Sequence, residues 1–146
     1  MRRPARCRER GITMAGKDKP TLDQRRANHA WKAIQAAKST AGKKKYGGQA
    51  KKLPIRITTS GLGQALAFIH AKKHAPELLR DIADWVLARL DKRADDQNRK
   101  EKPAEDALIK EIIAGDSNFL RRATDETLAY LQWLNRFAEA EGLTDD

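Results

Sequence analysis

Two histidines, His70 and His74, have the spacing closest to that of a metal site. Four positions apart, they share one face of a helix, as the paired zinc ligands of metalloproteases do. No acidic residue lies between them, and no third ligand accompanies them. We therefore expect no metal site and no cofactor.

Other signatures of catalysis are also missing from the sequence. The single cysteine, Cys7, lies in an arginine-rich stretch, and no serine has a base placed beside it. The pair Gly61 and Gly63 lacks the third glycine of a dinucleotide-binding loop, because Leu66 stands at that position. We expect the protein to have no catalytic residues and no enzymatic activity.

The strongest chemical signal is positive charge near the start of the chain. Residues 1–56 hold 17 Lys and Arg against 3 Asp and Glu, a net charge of +14, whereas residues 57–146 have a net charge of −4. Such asymmetry favours a polyanionic partner, with a merely solubilising surface as the alternative. The cations predicted to bind the phosphates of such a partner are Lys43, Lys44, Lys45, Lys51, Lys52 and Arg56, with Arg25 and Lys32 as further candidates.

The form of this charge indicates contact with a nucleic-acid backbone rather than reading of bases. The sequence contains no zinc finger, no compact helix-turn-helix and no aromatic RNA-recognition motif. Tyr46, beside three lysines, is the one aromatic residue predicted to stack on a base.

Length and composition suit a single domain in a reducing compartment. A chain of 146 residues can bury a core without disulfides, and one cysteine cannot form an internal disulfide. We expect a disordered basic extension over residues 1–20, with Met14 as an alternative start, and one helical domain over residues 21–146. No stretch resembles a secretory signal or a membrane span, so we expect a cytoplasmic protein with no membrane partner.

Hydrophobic periodicity predicts an all-α fold, a compact bundle of five or six helices. The first helix opens at a capping box formed by Thr21 and Gln24, and Gly42 is its predicted end. Its apolar stripe is predicted to comprise Ala27, Ala30, Trp31, Ile34 and Ala37. His29 is predicted on the opposite face, together with Arg25 and Lys32.

Residues 43–60 are ambiguous by pattern alone. Leu53, Ile55 and Ile57 alternate as in a strand, but no other segment offers a convincing partner strand. A helix kinked or restarted at Pro54 is the alternative.

The middle of the chain reads as three further helices. Residues 61–71 are apolar almost all round, which predicts a central position in the core. Pro76 starts the next helix, and Pro103 and Gly115 bracket another. The charged segment 91–102, which connects the helix starting at Pro76 to the helix starting at Pro103, is predicted to be an exposed loop or frayed helix end.

The last helix is predicted to begin at a Thr124 cap and to end at Gly142. Tyr130 and Trp133 lie on the flanks of its wide apolar arc. Core packing is the favoured interpretation of both rings, and partner contact is the alternative.

Two of these segments resemble a known family. KLPIRITTSGLGQALAFIHAKK (residues 52–73) is similar to the "LP…GLGQ.LAF" signature of the small α-helical subunit of the type III-B CRISPR effector, the Cmr complex. YLQWLNRFAEA (residues 130–140) is similar to that family's C-terminal helix, and ANHAWKAI fits its first helix. The similarity covers residues 25–141 in the right order.

The resemblance implies an all-α, non-catalytic subunit and a helix around Pro54. Members stack in copies as a filament against the backbone subunits that hold the guide RNA, and guide and target RNA lie in the groove between the two filaments. It further implies that the signature residues define the fold rather than a site: Leu53, Pro54, Gly61, Leu62, Gly63, Leu66, Ala67, Phe68, Trp133, Phe137 and Ala138. The implied function is RNA-guided antiviral defence; the alternative is a free-standing basic helical protein that binds DNA non-specifically.

Overall fold

The computed structural model describes residues 18–90 and 102–144. Over these residues it contains six helices and no strand, which confirms the all-α prediction. The helices are α1 (Leu22–Lys38), α2 (Lys43–Ser60), α3 (Leu62–Lys72), α4 (Pro76–Arg89), α5 (Ala107–Ala114) and α6 (Ser117–Ala140). The predicted extension, apart from residues 18–20, and the predicted loop, apart from Lys102, lie outside the described residues. None of the described helices is both long and apolar enough to cross a membrane.

Helix α1 begins at the predicted capping box. The Gln24 amide donates to Thr21 Oγ1 at 3.1 Å, and the Thr21 amide donates to Gln24 Oε1 at 2.7 Å. The helix buries Ala30, Ala33, Ile34 and Ala37, and α6 packs along it. Trp31, predicted in this stripe, is instead 43% exposed. The prediction that Gly42 ends α1 was also wrong, because α1 ends at Lys38 and Gly42 is the N-cap of α2.

His29 does not face solvent as predicted. Its Nδ1 lies 2.7 Å from the Tyr130 hydroxyl and its Nε2 lies 2.7 Å from Asp84 Oδ2. The prediction failed because α4 packs against the flank of α1 that the helical wheel assigned to water. This polar contact ties α1 to both α4 and α6.

A second polar cluster joins the same three helices. Glu126 on α6 accepts hydrogen bonds from Arg26 Nη2 at 3.1 Å and from Trp85 Nε1 at 2.8 Å. Burial opposes ionisation of Glu126, but the hydrogen bonds from Arg26 and Trp85 outweigh it and hold the pKa of this carboxyl below its usual value. The Glu126 carboxylate therefore stays charged, and its pair with Arg26 fixes the start of α1 against α6.

Residues 43–60 form one continuous helix, α2, as the resemblance implied. Its buried residues are Tyr46, Gly47, Ala50, Leu53 and Ile57, which recur at helical spacing. The period-two alternative fails at Ile55, which is 70% exposed. Pro54 lies in the helix interior rather than in a first turn.

Helix α3 is less central than predicted. It buries Leu62, Ala65, Leu66 and Ile69, whereas Ala67, Phe68 and Ala71 are exposed. The buried residues of α3 all lie on one side of the helix. The prediction of a central position, made because α3 is apolar almost all round, was therefore wrong. Gly61 joins α2 to α3 with φ of +88°, a backbone conformation that residues other than glycine rarely adopt.

Of the three later helices, α4 begins at the predicted residue, whereas α5 and α6 do not. Pro76 does begin α4, but α5 begins at Ala107 rather than near Pro103. Helix α6 begins after Asp116, whose Oδ1 accepts from the Phe119 amide at 2.9 Å. Thr124, the predicted cap, lies inside α6, where its hydroxyl donates to the Leu120 carbonyl at 2.7 Å. A threonine followed by acidic residues thus resembled a start without being one.

Helix α6 supplies the centre of the core. Tyr130, Leu131, Leu134 and Ala138 are wholly buried, so the Tyr130 ring is a core residue. Trp133 is half-buried, and its Nε1 donates to Asp23 Oδ1 at 3.0 Å. The helix ends at Ala140, and Gly142 follows with φ of +74°, as predicted for its end.

The approach of α2 to the end of α6 makes one glycine position intolerant of a side chain. A Cβ at residue 47 would lie 2.6 Å from the Leu143 carbonyl carbon and 2.9 Å from its Cβ, whereas a Cβ at Gly48 would meet nothing within 4 Å. We expect Gly47→Ala to lower the free energy of unfolding by about 1–3 kcal/mol. Gly48→Ala should raise it by roughly 0.5–1 kcal/mol, because alanine is the better helix former.

Urea denaturation of both variants checks this pair. Equal effects at the two positions would contradict the close packing of α2 on Leu143.

Candidate nucleic-acid interface

Helix α2 is the most basic element that the structure describes. It contains six Lys and Arg residues and no Asp or Glu. Its buried residues occupy one side of the helix, and at about 100° per residue most of its cations fall outside that side. The six cations predicted from the sequence as neighbours therefore do share one helix.

Three of these cations form a row toward α3. Lys45, Lys52 and Arg56 fall within an arc of about 40° on α2. Lys45 and Lys52 are exposed, whereas Arg56 is partly buried. The Arg56 guanidinium donates to Gln49 Oε1 at 2.7 Å and lies over the Phe68 ring of α3. We refer to Lys45, Lys52 and Arg56 as the α2 basic row.

Two other cations lie on the opposite flank of α2. Lys44 and Lys51 are seven residues apart, so they share nearly one direction, and both are exposed. Lys44 Nζ donates to the Gly142 carbonyl at 3.2 Å, which places this flank beside the end of α6. Lys43 is the exposed first residue of α2 and belongs to neither flank.

The remaining two predicted residues lie on another helix. Arg25 and Lys32 are exposed on α1, on the side away from its buried alanines. These two residues form a separate row on α1 and do not extend the α2 basic row. Two neighbouring cations of α1 are neutralised instead, since Arg26 pairs with Glu126 and Lys38 pairs with Glu141.

The α2 basic row is not neutralised by an ion pair within the part of the chain that the structure describes. Over residues 18–90 and 102–144, no ion pair involves Lys45, Lys52 or Arg56. Ammonium and guanidinium groups that reach solvent and have no carboxylate paired with them attract phosphate oxygens. The row can therefore bind a polyanion without first breaking an intramolecular ion pair.

Tyr46 does not stack on a base, and this prediction was wrong. Its side chain is 3% exposed, and its hydroxyl donates to Asp81 Oδ2 at 2.6 Å. Burial, with the charge of Asp81, raises the pKa of Tyr46 well above its usual value. Because α2 starts at Lys43, Tyr46 is the first residue of its buried stripe rather than a neighbour of the lysines on the surface.

Phe68 is the aromatic residue that sequence reasoning missed. It was interpreted as a fold-defining position, yet it is 43% exposed. Arg56 Cζ lies 4.4 Å and Lys72 Nζ 5.5 Å from the centroid of its ring. The buried set Leu62, Ala65, Leu66 and Ile69 defines a stripe that leaves Phe68 at its border. Because residues 61–71 are apolar almost all round, the sequence alone does not show which of them make up that stripe.

The other candidate chemistry does not assemble into a site. His70 Nδ1 lies 2.9 Å from Glu105 Oε1, while His74 is exposed on the turn after α3. Across the described residues, no group of three or more His, Cys, Asp or Glu is placed to hold a metal ion. A cavity of about 260 Å³ between α1, α2 and α4 contains Asp81, but Tyr46 and Lys102 already bind that carboxylate.

Comparison with known proteins assigns the family. The family model of the CRISPR-associated protein Cas_Cmr5 matches residues 22–141. The chain belongs to the Cmr5 family. Both motifs that resembled the Cmr small subunit lie inside the matched region, so that resemblance is confirmed.

A sequence match and a match to a solved structure, both from Thermus thermophilus, support the assignment. The CRISPR system Cmr subunit Cmr5 of that organism is 33% identical over 121 residues, which cover 82% of this chain and 95% of the relative. The X-ray crystal structure of a CRISPR-associated Cmr5 family protein from the same organism matches with a TM-score of 0.67 and 28% identity. That match covers 83% of this chain and 97% of the other.

The buried hydroxyl of Tyr46 generates a prediction. Tyr46→Phe removes the hydrogen bond to the Asp81 carboxylate and leaves the ring in place. We expect the free energy of unfolding to fall by about 1.5–3 kcal/mol, the usual range for a hydrogen bond to a charged group. Affinity for single-stranded RNA should be unchanged, as measured by fluorescence anisotropy. Reduced RNA affinity at unchanged stability would instead restore Tyr46 as a stacking residue.

Proposed function

We propose that this Cmr5-family chain is a non-catalytic structural subunit of the type III-B Cmr complex in antiviral defence. In this proposal, copies of the chain stack as a filament against the subunits that hold the guide RNA. Its exposed cations bind the sugar-phosphate backbone of guide and target RNA in the groove. A cytoplasmic location belongs to the same proposal.

The observation that carries the RNA contact is the outer surface of α2. Its cations are Lys43, Lys44, Lys45, Lys51, Lys52 and Arg56, on a helix that has no acidic residue. Surfaces of this kind bind nucleic acid mainly through phosphates, with release of counterions. Arg25 and Lys32 on α1 are proposed as secondary contacts, since they lie on a different helix.

The chemistry of these side chains favours backbone contact over base reading. Lysine ammonium groups are compact point charges on flexible stems, and they bind phosphate without the planar geometry that base recognition uses. Specificity would then come from pairing between guide and target RNA rather than from this chain. A subunit repeated along the RNA needs such sequence tolerance, because each copy meets different bases.

The family assignment supports the assembly part of the proposal. The Thermus relative is named a Cmr subunit, and this chain spans 95% of its length. The similarity that supports membership in a Cmr complex therefore extends over the whole helical domain and is not limited to a short motif. The alternative, a free-standing basic protein that coats DNA, has no comparable support.

Removing two cations of the α2 basic row tests the RNA contact. If one copy covers about four phosphates, the logarithm of affinity for single-stranded RNA should fall with log salt at a slope near −3. Lys45→Ala with Lys52→Ala should make that slope shallower by about 1.4, since each lost phosphate contact removes roughly 0.7. Anisotropy titrations of the full chain at several salt concentrations measure both slopes.

The matched control removes the same charge elsewhere. Arg121→Ala with Arg122→Ala takes two exposed cations from α6, and the slope should stay near the wild-type value. If both double variants make the slope shallower by the same amount, net charge alone drives binding, and this result contradicts a site on α2. Tighter binding to duplex DNA than to RNA would favour the DNA-coating alternative.

A further inference from the structure

We propose that Phe68, with Arg56 and Lys72, forms a stacking site for one unpaired nucleobase of the bound RNA. The proposal rests on the function proposed above and names a contact that backbone binding does not include. We refer to Phe68, Arg56 and Lys72 as the Phe68 site.

The geometry of the Phe68 site combines a ring with two cations. Phe68 projects from α3 and is 43% exposed. The Arg56 guanidinium reaches it from α2, and the Lys72 ammonium approaches it from the next turn of α3. Within the described ranges, no acidic side chain pairs with Arg56 or Lys72.

Nothing in the core accounts for this placement of a large apolar ring. The buried face of α3 is complete without Phe68, because Leu62, Ala65, Leu66 and Ile69 already contact the bundle. A half-exposed phenyl ring leaves apolar area in water, which is unfavourable by about 25 cal/mol per Å². A planar ligand that covers the ring would remove that area from water.

The Phe68 site continues the α2 basic row. Lys45 and Arg56 are eleven residues apart, so the row is about 16 Å long at 1.5 Å per residue. Arg56 is both the last cation of the row and the cation on the ring. A single strand whose phosphates follow the row therefore arrives at Phe68 with its next base free to stack.

The chemistry of the site fits an unpaired nucleotide of any sequence. Every base has a π face, so stacking on phenylalanine tolerates all four bases. Arg56 and Lys72 bind the phosphates on either side of the stacked base, and arginine also stacks on bases directly. Bases inside a duplex are already stacked, so duplex RNA should not use the ring.

Two substitutions distinguish the effect of the aromatic ring on RNA affinity from the effect of apolar volume. Phe68→Leu keeps an apolar side chain but removes the π surface, whereas Phe68→Tyr keeps the ring. The probes are two single-stranded RNAs of equal length and charge, one with normal bases and one fully abasic. Anisotropy titrations of the full chain at fixed salt give the four variant affinities and the two wild-type affinities.

We expect Phe68→Leu to weaken binding of the base-bearing RNA by about 5- to 150-fold, the usual range for one lost stacking contact. Its affinity for the abasic RNA should equal that of the wild type, and Phe68→Tyr should match the wild type on both probes. A base analogue, 2-aminopurine, should lose fluorescence on binding the wild type and not Phe68→Leu.

Three results would overturn the proposal. Equal affinity of the wild type for the two probes would mean that no base is bound. An equal loss on both probes with Phe68→Leu would mean that the ring merely holds Arg56 in place. Unchanged RNA binding, with reduced recovery of other Cmr subunits, would assign Phe68 to a protein interface. In each case the salt slopes of the lysine variants still decide the RNA-backbone proposal separately.

Discussion

The packing of one face of α2 against the bundle is the constraint on which the basic surface depends. Tyr46 donates to the buried Asp81 carboxylate, and Gly47 lets the helix contact Leu143 at the end of α6. These contacts fix the rotation of α2 about its own axis. Because a helix turns about 100° per residue, fixing one side decides where every lysine on it points. A core interaction thus sets the geometry of a surface that carries only charge.

The two aromatic residues near the cations show what a sequence pattern decides and what it leaves open. Charged lysines must stay hydrated, so their exposure could be predicted from residue type alone. An aromatic ring is stable either in the core or half-exposed at the surface, and only the packing of neighbouring helices decides between them. Tyr46 was therefore predicted at the surface and is buried, whereas Phe68 was assigned to the fold and is exposed. The candidate cations were predictable, but the candidate ring was not.

The fold itself was predictable where local signals agreed. The Thr21 capping box and Pro76 gave the starts of α1 and α4, because caps and first-turn prolines act within one turn. Tertiary contacts overrode local signals elsewhere. His29 lies against α4 and α6 although it is on the side of α1 predicted to face water, and Thr124 resembles a cap inside a continuous helix. Residues 43–60, with a period-two pattern near Ile55, form a helix; the pattern left strand and helix open, and the family resemblance favoured the helix.

We propose that this chain is a non-catalytic helical subunit whose α2 surface lies on RNA. Ultraviolet cross-linking of the complex purified through a tag on this chain, followed by mass spectrometry of RNA-linked peptides, tests that claim most directly. We expect guide RNA and other Cmr subunits to co-purify, and the RNA-linked peptides of this chain to come from residues 43–73. Recovery of the chain without RNA, or cross-links confined to α5 and α6, would contradict it.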